Sequence, residues 1–301
     1  MAEPGVSERT IRAGGDERVY QVTVPESYDG ETPMPVVLGL HALTMSYEFV
    51  PALSGFPDMA DRYDFVAVSP SGRLDGSVPY WNAAPTRKND DIVFLIEVLD
   101  AVAAELCVDE SQVFSTGMSN GAQMSSLLAC QRSDRVTAVA PIAGAEFYVQ
   151  CEGDPVPVIA FHGTADPIVT YDGAGLNARA ISAQHYWKGN APASVPVHGG
   201  VDEAMRRWAD HNECVGDPVE VQVTVEVRKR TWQDCAAETT LYIVDGGGHT
   251  YPGRPVAGFD AMFGPTTTDI DATALMFEFF LGAPRAESPP QPDARARQRA
   301  G

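Results

Sequence analysis

Short, unbroken apolar runs that end in turn residues recur along the chain: MPVVLGLHAL (34–43), DFVAVSPSG (64–72), QVFSTG (112–117), VTAVAPIAG (136–144), VPVIAFHG (156–163) and TTLYIVDGGG (239–248). Such a run has no side that could face water, so each reads as a strand buried on both faces. VYQVTVP (19–25) alternates instead and reads as a half-buried strand. Between the strands lie apolar residues at helical spacing: DDIVFLIEVLDAVAAEL (90–106) with acids in its first turn, GAQMSSLLACQ (121–131), VDEAMRRWADHN (201–212) and DIDATALMFEFFL (269–281). Strands alternating with helices over this length leave few solutions. The chain is expected to be α/β, one doubly wound, mostly parallel sheet with helices on both faces.

A chain of 301 residues with 44% hydrophobic content can bury one large core. The polar start predicts a flexible lead-in over 1–16, the alternation a single α/β domain over 17–282, and the Pro- and Arg-rich end a disordered tail over 283–301. Two stretches break the pattern. Residues 167–200 form an irregular insert carrying Tyr171, Tyr186 and Trp187, and a stretch that long is more often functional than filler. VEVQVTVEV (219–227) places valine at every second position, as in an antiparallel ribbon at the sheet edge with one apolar face. Cys214 precedes it and Cys235 follows it, a position that suits a disulfide restraining the edge.

The formal net charge of −20 repels nucleic acid and anionic membranes, so neither is an expected partner. MAEPGVSERT begins polar and acidic with no apolar stretch behind it, unlike a secretory leader. The five cysteines form no CxxC pair and no zinc-like cluster with histidine, so no metal is expected. An odd count leaves at least one free thiol or an intermolecular bond, and a disulfide would favour an exported protein, with a cytoplasmic one as the alternative.

Gly117-Met118-Ser119-Asn120-Gly121 fits G-x-S-x-G at the junction of a strand and a helix. A turn that sharp crowds the backbone, which calls for the flanking glycines, and it lifts the serine hydroxyl above the strand ends. Serine is a poor nucleophile near neutral pH and needs a base, an acid that orients the base, and donors for an oxyanion. In doubly wound hydrolases these follow in the order Ser, acid, His, each after a later strand. His249 lies just past a late core strand in DGGGHTYPG and is the expected base. Asp166 follows VPVIAFHG and is the expected acid, with Asp172 further along the loop as its competitor. The backbone N–H of Asn120 supplies one oxyanion donor. Leu43 or Thr44, in the loop after an early strand, supplies the other; Leu43 is the working choice, and His41 orients that loop.

These blocks resemble the polyhydroxybutyrate depolymerase-like esterases, relatives of the bacterial feruloyl and acetylxylan esterases in the α/β-hydrolase superfamily. The resemblance spans roughly 17–282 and rests on GMSNGAQMS, FHGTADPIVTYDG, GGGHTYPG, and WNAAP with NDDIVFL between them. It implies the α/β-hydrolase fold and a nucleophile, acid and base at Ser119, Asp166 and His249. It implies cysteines paired around the ribbon and export. It also places Trp81, beside Tyr80, near the site, and Thr44, Trp81, Met118 and Tyr251 become candidate substrate contacts. Where relatives usually carry glycine after the oxyanion-loop histidine this chain has Ala42, which could narrow the site. The expected function is a monomeric, cofactor-free serine esterase that works through an acyl-enzyme. Its expected substrates are hydroxyalkanoate polyesters, their oligomers or related small esters. The absence of a separate polymer-binding domain within the chain favours oligomers and small esters. The alternatives are a feruloyl or acetylxylan esterase acting on plant glycans, and an inactive polymer- or glycan-binding protein using Trp81, Tyr186 and Trp187.

Overall fold

A computed structural model describes residues 3–13, 15–86, 89–148, 151–173 and 199–281. Its strands, in chain order, are β1 (Gly5–Ala13), β2 (Asp16–Val24), β3 (Met34–Leu40), β4 (Val66–Pro70), β5 (Arg73–Asp75), β6 (Val78–Tyr80), β7 (Val108–Met118), β8 (Ala138–Ile142), β9 (Val158–Gly163), β10 (Val219–Gln222), β11 (Val227–Thr231) and β12 (Thr239–Val244). The helices are α1 (Phe49–Ser54), α2 (Phe56–Tyr63), α3 (Asp90–Glu105), α4 (Asn120–Gln131), α5 (Gly200–His211), α6 (Asp260–Phe263) and α7 (Ala272–Leu281).

Successive side chains of the central strands serve two cores. On β3, Val36, Leu38 and Leu40 enter one apolar cluster and Val37 enters the other. On β12, Leu241 and Ile243 face the first cluster, Tyr242 and Val244 the second. This two-sided burial is the physical reason for the unbroken apolar runs. The first cluster takes the inner faces of α3, α4 and α5, with Leu95, Leu127 and Trp208. The second takes α2 and α7, with Phe56, Phe65 and Phe277 in mutual ring contact.

The sheet runs β1-β2-β4-β3-β7-β8-β9-β12-β11-β10. From β4 to β12 the neighbours are parallel, and antiparallel pairs flank them on both sides. This is the α/β-hydrolase fold, as expected. Among the described residues no helix is long and apolar enough to cross a membrane.

Two expectations need correction. The lead-in over 1–16 is not loose: Gly5–Ala13 pairs residue for residue with β2, since a polar strand is acceptable at an exposed sheet edge. The ribbon is present but turns between Gln222 and Val227, forming a β10–β11 hairpin at the opposite edge. Its valines do not form a buried face, because Val219, Val221, Val223 and Val225 are all exposed and only Val227 is covered. Within the insert, Ile168 and Val169 pack on Ala204. Its Tyr186 and Trp187, with His185 and His198, lie outside the described residues, as does the 283–301 tail. Helices α1 and α2 and the hairpin β5–β6 were not legible in the periodicity.

The structure joins Cys214 to Cys235 as expected, and it also joins Cys130 to Cys151. Cys107 is left as a thiol.

Candidate active site

The carboxyl ends of β3, β7, β9 and β12 point to one edge of the sheet, with β8 between β7 and β9, and the loops leaving them carry Leu43, Ser119, Asn120, Asp166 and His249. Ser119 follows β7 directly, with φ 56° and ψ −118°, a backbone region L-residues rarely occupy. Its N–H donates to Ile142 O at 2.9 Å, and its carbonyl accepts from Gln123 N at 3.0 Å. The strained turn is thus held from β8 on one side and α4 on the other. A Cβ on Gly121 would strike the carbonyl oxygens of Leu40 and His41, so only glycine lets α4 start this close to the oxyanion loop. A Cβ on Gly144 would come within 2.5 Å of Ser119 O, a requirement the motif does not include.

Asp166 and His249 meet across the site. Ala165 N donates to Gly247 O at 2.9 Å and Gly246 N to Thr164 Oγ1 at 2.8 Å, which ties the loop after β9 to the loop after β12. His249 Nδ1 lies 2.7 Å from Asp166 Oδ2. Asp166 Oδ1 accepts from Ile168 N and Val169 N at 2.8 and 2.9 Å. Burial alone would raise this carboxyl, but His249 and His162 outweigh it and hold Asp166 well below the usual carboxylate range. Asp172, the competing acid, is exposed.

His162, at the end of β9, is part of the support for Asp166. Its Nε2 donates to Val169 O at 2.9 Å and lies 3.4 Å from Asp166 Oδ2. The signal was present in the spacing His162-x-x-x-Asp166 across the end of β9, but it is also the spacing of an ordinary buried strand histidine.

The two N–H groups expected to bind an oxyanion have no hydrogen-bond acceptor among the described residues. Asn120 opens α4, where the first N–H groups have no intrahelical acceptor. Leu43 N carries no hydrogen bond among the described residues, whereas Thr44 N donates to Pro79 O at 3.0 Å, so of the two only Leu43 N is without an acceptor there. Thr44 is exposed and takes φ 71°; Ala42 has no positive φ, so its backbone does not call for glycine. His41 accepts Gly72 N on Nε2 at 2.8 Å, so Nδ1 is the donor to Ala42 O at 2.9 Å. Burial pushes His41 down to about 4, keeping it in this neutral form.

The Ser119 hydroxyl has no hydrogen-bond partner among the described residues, and neither has His249 Nε2; such contacts commonly tighten only with substrate bound. Beside the elbow lies an apolar cavity of about 20 Å³ lined by Ala42, Met45, Phe49, Met118 and Tyr251 among others. Met118 and Tyr251 are buried and form its wall, and burial raises the Tyr251 phenol to about 12. From the cavity wall, Phe49 stacks on Phe259 at 6.4 Å, and Phe263 lies 6.1 Å from the His249 ring. The α6 segment straps the base in place, with Phe263 O accepting His249 N at 2.6 Å.

Trp81 does not line this surface. It is 1% exposed, so its expected role as a substrate contact is corrected to a buried one. WNAAP and NDDIVFL prove to be one unit. Asn89 caps α3 and donates to Asn82 O and Ala84 O, while Asp91 accepts Asn82 N at 2.7 Å. Asp91 also pairs with Arg18 at 2.5 Å, and both are buried. Among the described residues no group of three His, Cys, Asp or Glu side chains could hold a metal.

No family model matches the chain. Probable feruloyl esterase C of Aspergillus terreus is 30% identical over 281 residues, spanning 88% of this chain and 84% of that protein. Probable feruloyl esterase C of Aspergillus niger is 29% identical over 294 residues, spanning 93% and 91%. The solved acetyl xylan esterase from Aspergillus awamori superposes with a TM-score of 0.59, covering 85% of this chain and 97% of that one. At 16% identity that likeness is one of fold.

Proposed function

This chain belongs to the α/β-hydrolase-fold serine esterases that include the fungal feruloyl esterases, and from that premise we propose that it hydrolyses hydroxycinnamoyl esters of plant glycans. The observation that carries the substrate class is the similarity to feruloyl esterases C over nearly the whole of both chains. The half-buried ring of Phe263 beside His249, followed by Phe259 and Phe49 in successive ring contact, supports it, since aromatic faces suit an aromatic acyl group. The cavity of about 20 Å³ is large enough for about one water-sized group, so an aromatic ring would lie outside it, against those phenyl rings. The expectation of a hydroxyalkanoate polyester draws no support from these relatives, whose names point to feruloyl esters instead. Two disulfides support a working place in an oxidising compartment.

In the proposed reaction His249 Nε2 takes the Ser119 proton as Oγ attacks the ester carbonyl. Asp166 holds the imidazole by Nδ1–H and stabilises its charge, while Leu43 and Asn120 N–H groups bind the oxyanion. The C–O bond to the sugar breaks, and the alcohol leaves with the proton from His249. Water, deprotonated by His249, then releases the acid from Ser119.

The test compares kcat/KM on methyl ferulate, p-nitrophenyl acetate and a hydroxybutyrate trimer, with Ser119→Ala as control. Methyl ferulate is expected to lead the trimer by at least about tenfold, and Ser119→Ala to lose at least about three orders of magnitude. Faster turnover of the trimer would sink the substrate class and leave the ester chemistry standing. A fully active Ser119→Ala would sink the mechanism.

A further inference from the structure

The two oxyanion donors come from different loops, Leu43 after β3 and Asn120 after β7, so something must set the distance between them. We propose that Trp81 is the positioning residue that does so. Every polar group of this residue is engaged by one loop or the other. Its backbone N–H donates to Asn120 Oδ1 at 2.7 Å, and its carbonyl accepts Asn120 Nδ2 at 3.0 Å. Its indole Nε1–H donates to His41 O at 3.0 Å, two residues before Leu43.

The frame continues on both sides. His41 bridges Gly72 N and Ala42 O, and Thr44 N is held by Pro79 O, so the oxyanion loop is fixed before and after Leu43. Beneath Trp81, the Arg18 guanidinium lies 5.8 Å from the indole and 3.6 Å from the Phe94 ring. The same Arg18 pairs with Asp91, whose other oxygen holds Asn82 N. Trp81 therefore sits on a buried ion pair, clamped to the elbow by an amide and to the oxyanion loop by its indole. Loss of the indole N–H would release His41 O and let residues 41–43 drift relative to Asn120.

The inference rests on the reading of Ser119, Leu43 and Asn120 as the reacting site, and the test separates the two. Trp81→Phe removes the N–H with some volume; Trp81→benzothienylalanine removes it while keeping the ring shape, and it serves if the first variant folds poorly. For each, kcat and KM on p-nitrophenyl acetate are measured with thermal unfolding, and with the inhibition constant of a trifluoromethyl ketone, whose tetrahedral adduct places an oxyanion between the donors. The expected result is a fall in kcat of about 10- to 100-fold, KM within about twofold, and a matching loss of ketone affinity, with unfolding still cooperative. Unchanged kcat and ketone affinity in the benzothienylalanine protein, with Ser119→Ala inactive, overturn the role of Trp81 alone. A rise in KM at constant kcat also overturns it, by making Trp81 a substrate contact. A fully active Ser119→Ala overturns both readings.

Discussion

His249 Nδ1 and Asp166 Oδ2 lie 2.7 Å apart across 83 residues of sequence. An ionised carboxylate only accepts, so Nδ1 is the donor and Nε2 is left as a base for Ser119. Asp166→Asn keeps the shape but offers a donor to Nδ1, which favours the wrong tautomer. The expected outcome is a loss in kcat of about four orders of magnitude with the protein still folded. Stopped assays on p-nitrophenyl acetate measure it, and a loss under tenfold would contradict the assignment.

His41 makes stability depend on pH. Burial lowers it from 6.5 to about 4 in the fold, so the unfolded chain binds the proton first as pH falls. Its contribution is complete above about pH 6.5 and declines towards about pH 4, by roughly 3 kcal/mol in all. His41→Gln removes the titration. Urea unfolding at about pH 7 and about pH 4.5 should show a smaller decline in that variant than in the native protein. Equal declines would refute the buried neutral form.

Gly144 sets the back of the elbow. A methyl group there would meet Ser119 O at 2.5 Å, and backbone cannot yield as a flexible side chain can. Gly144→Ala should therefore cost about 1–3 kcal/mol of stability and displace Ser119, with kcat reduced by about 100-fold. Crystallography of the variant alongside kinetics checks both parts; wild-type values for both would show that β8 can shift to accommodate the methyl.

Both disulfides span 21 residues of sequence. By chain entropy each should stabilise the fold by about 3 kcal/mol. Denatured, unreduced protein treated with iodoacetamide should gain one adduct, on Cys107, by intact mass. Cys130→Ser paired with Cys151→Ser should lower Tm by several degrees, roughly 2–4 °C per kcal/mol at this size. Three or more adducts would show that a pairing is absent.

Much of the site was readable because it depends on order along the chain. Ser119, Asp166 and His249 each follow a recognisable buried strand, and parallel strands place such positions at one edge of the sheet whatever the intervening segments do. The unread parts depend on approach between distant segments. Gly144 is an unremarkable glycine until β8 passes Ser119, and His162 is one more strand residue until Val169 folds back over it. Helices α1 and α2 are short and sit beside the apolar cavity, where the packing of Phe56 on Phe277 decides more than periodicity does.

Trp81 marks the boundary. Spacing along the chain determined the α/β layering, the place of Ser119, Asp166 and His249 after successive buried strands and the crowding at Gly121, since these follow from local burial patterns and backbone sterics. Whether Trp81 faces substrate or core was decided only in three dimensions. An aromatic ring with one N–H suits either place, and it was the convergence of Asn120, His41 and Arg18 that gave its polar and apolar parts buried partners.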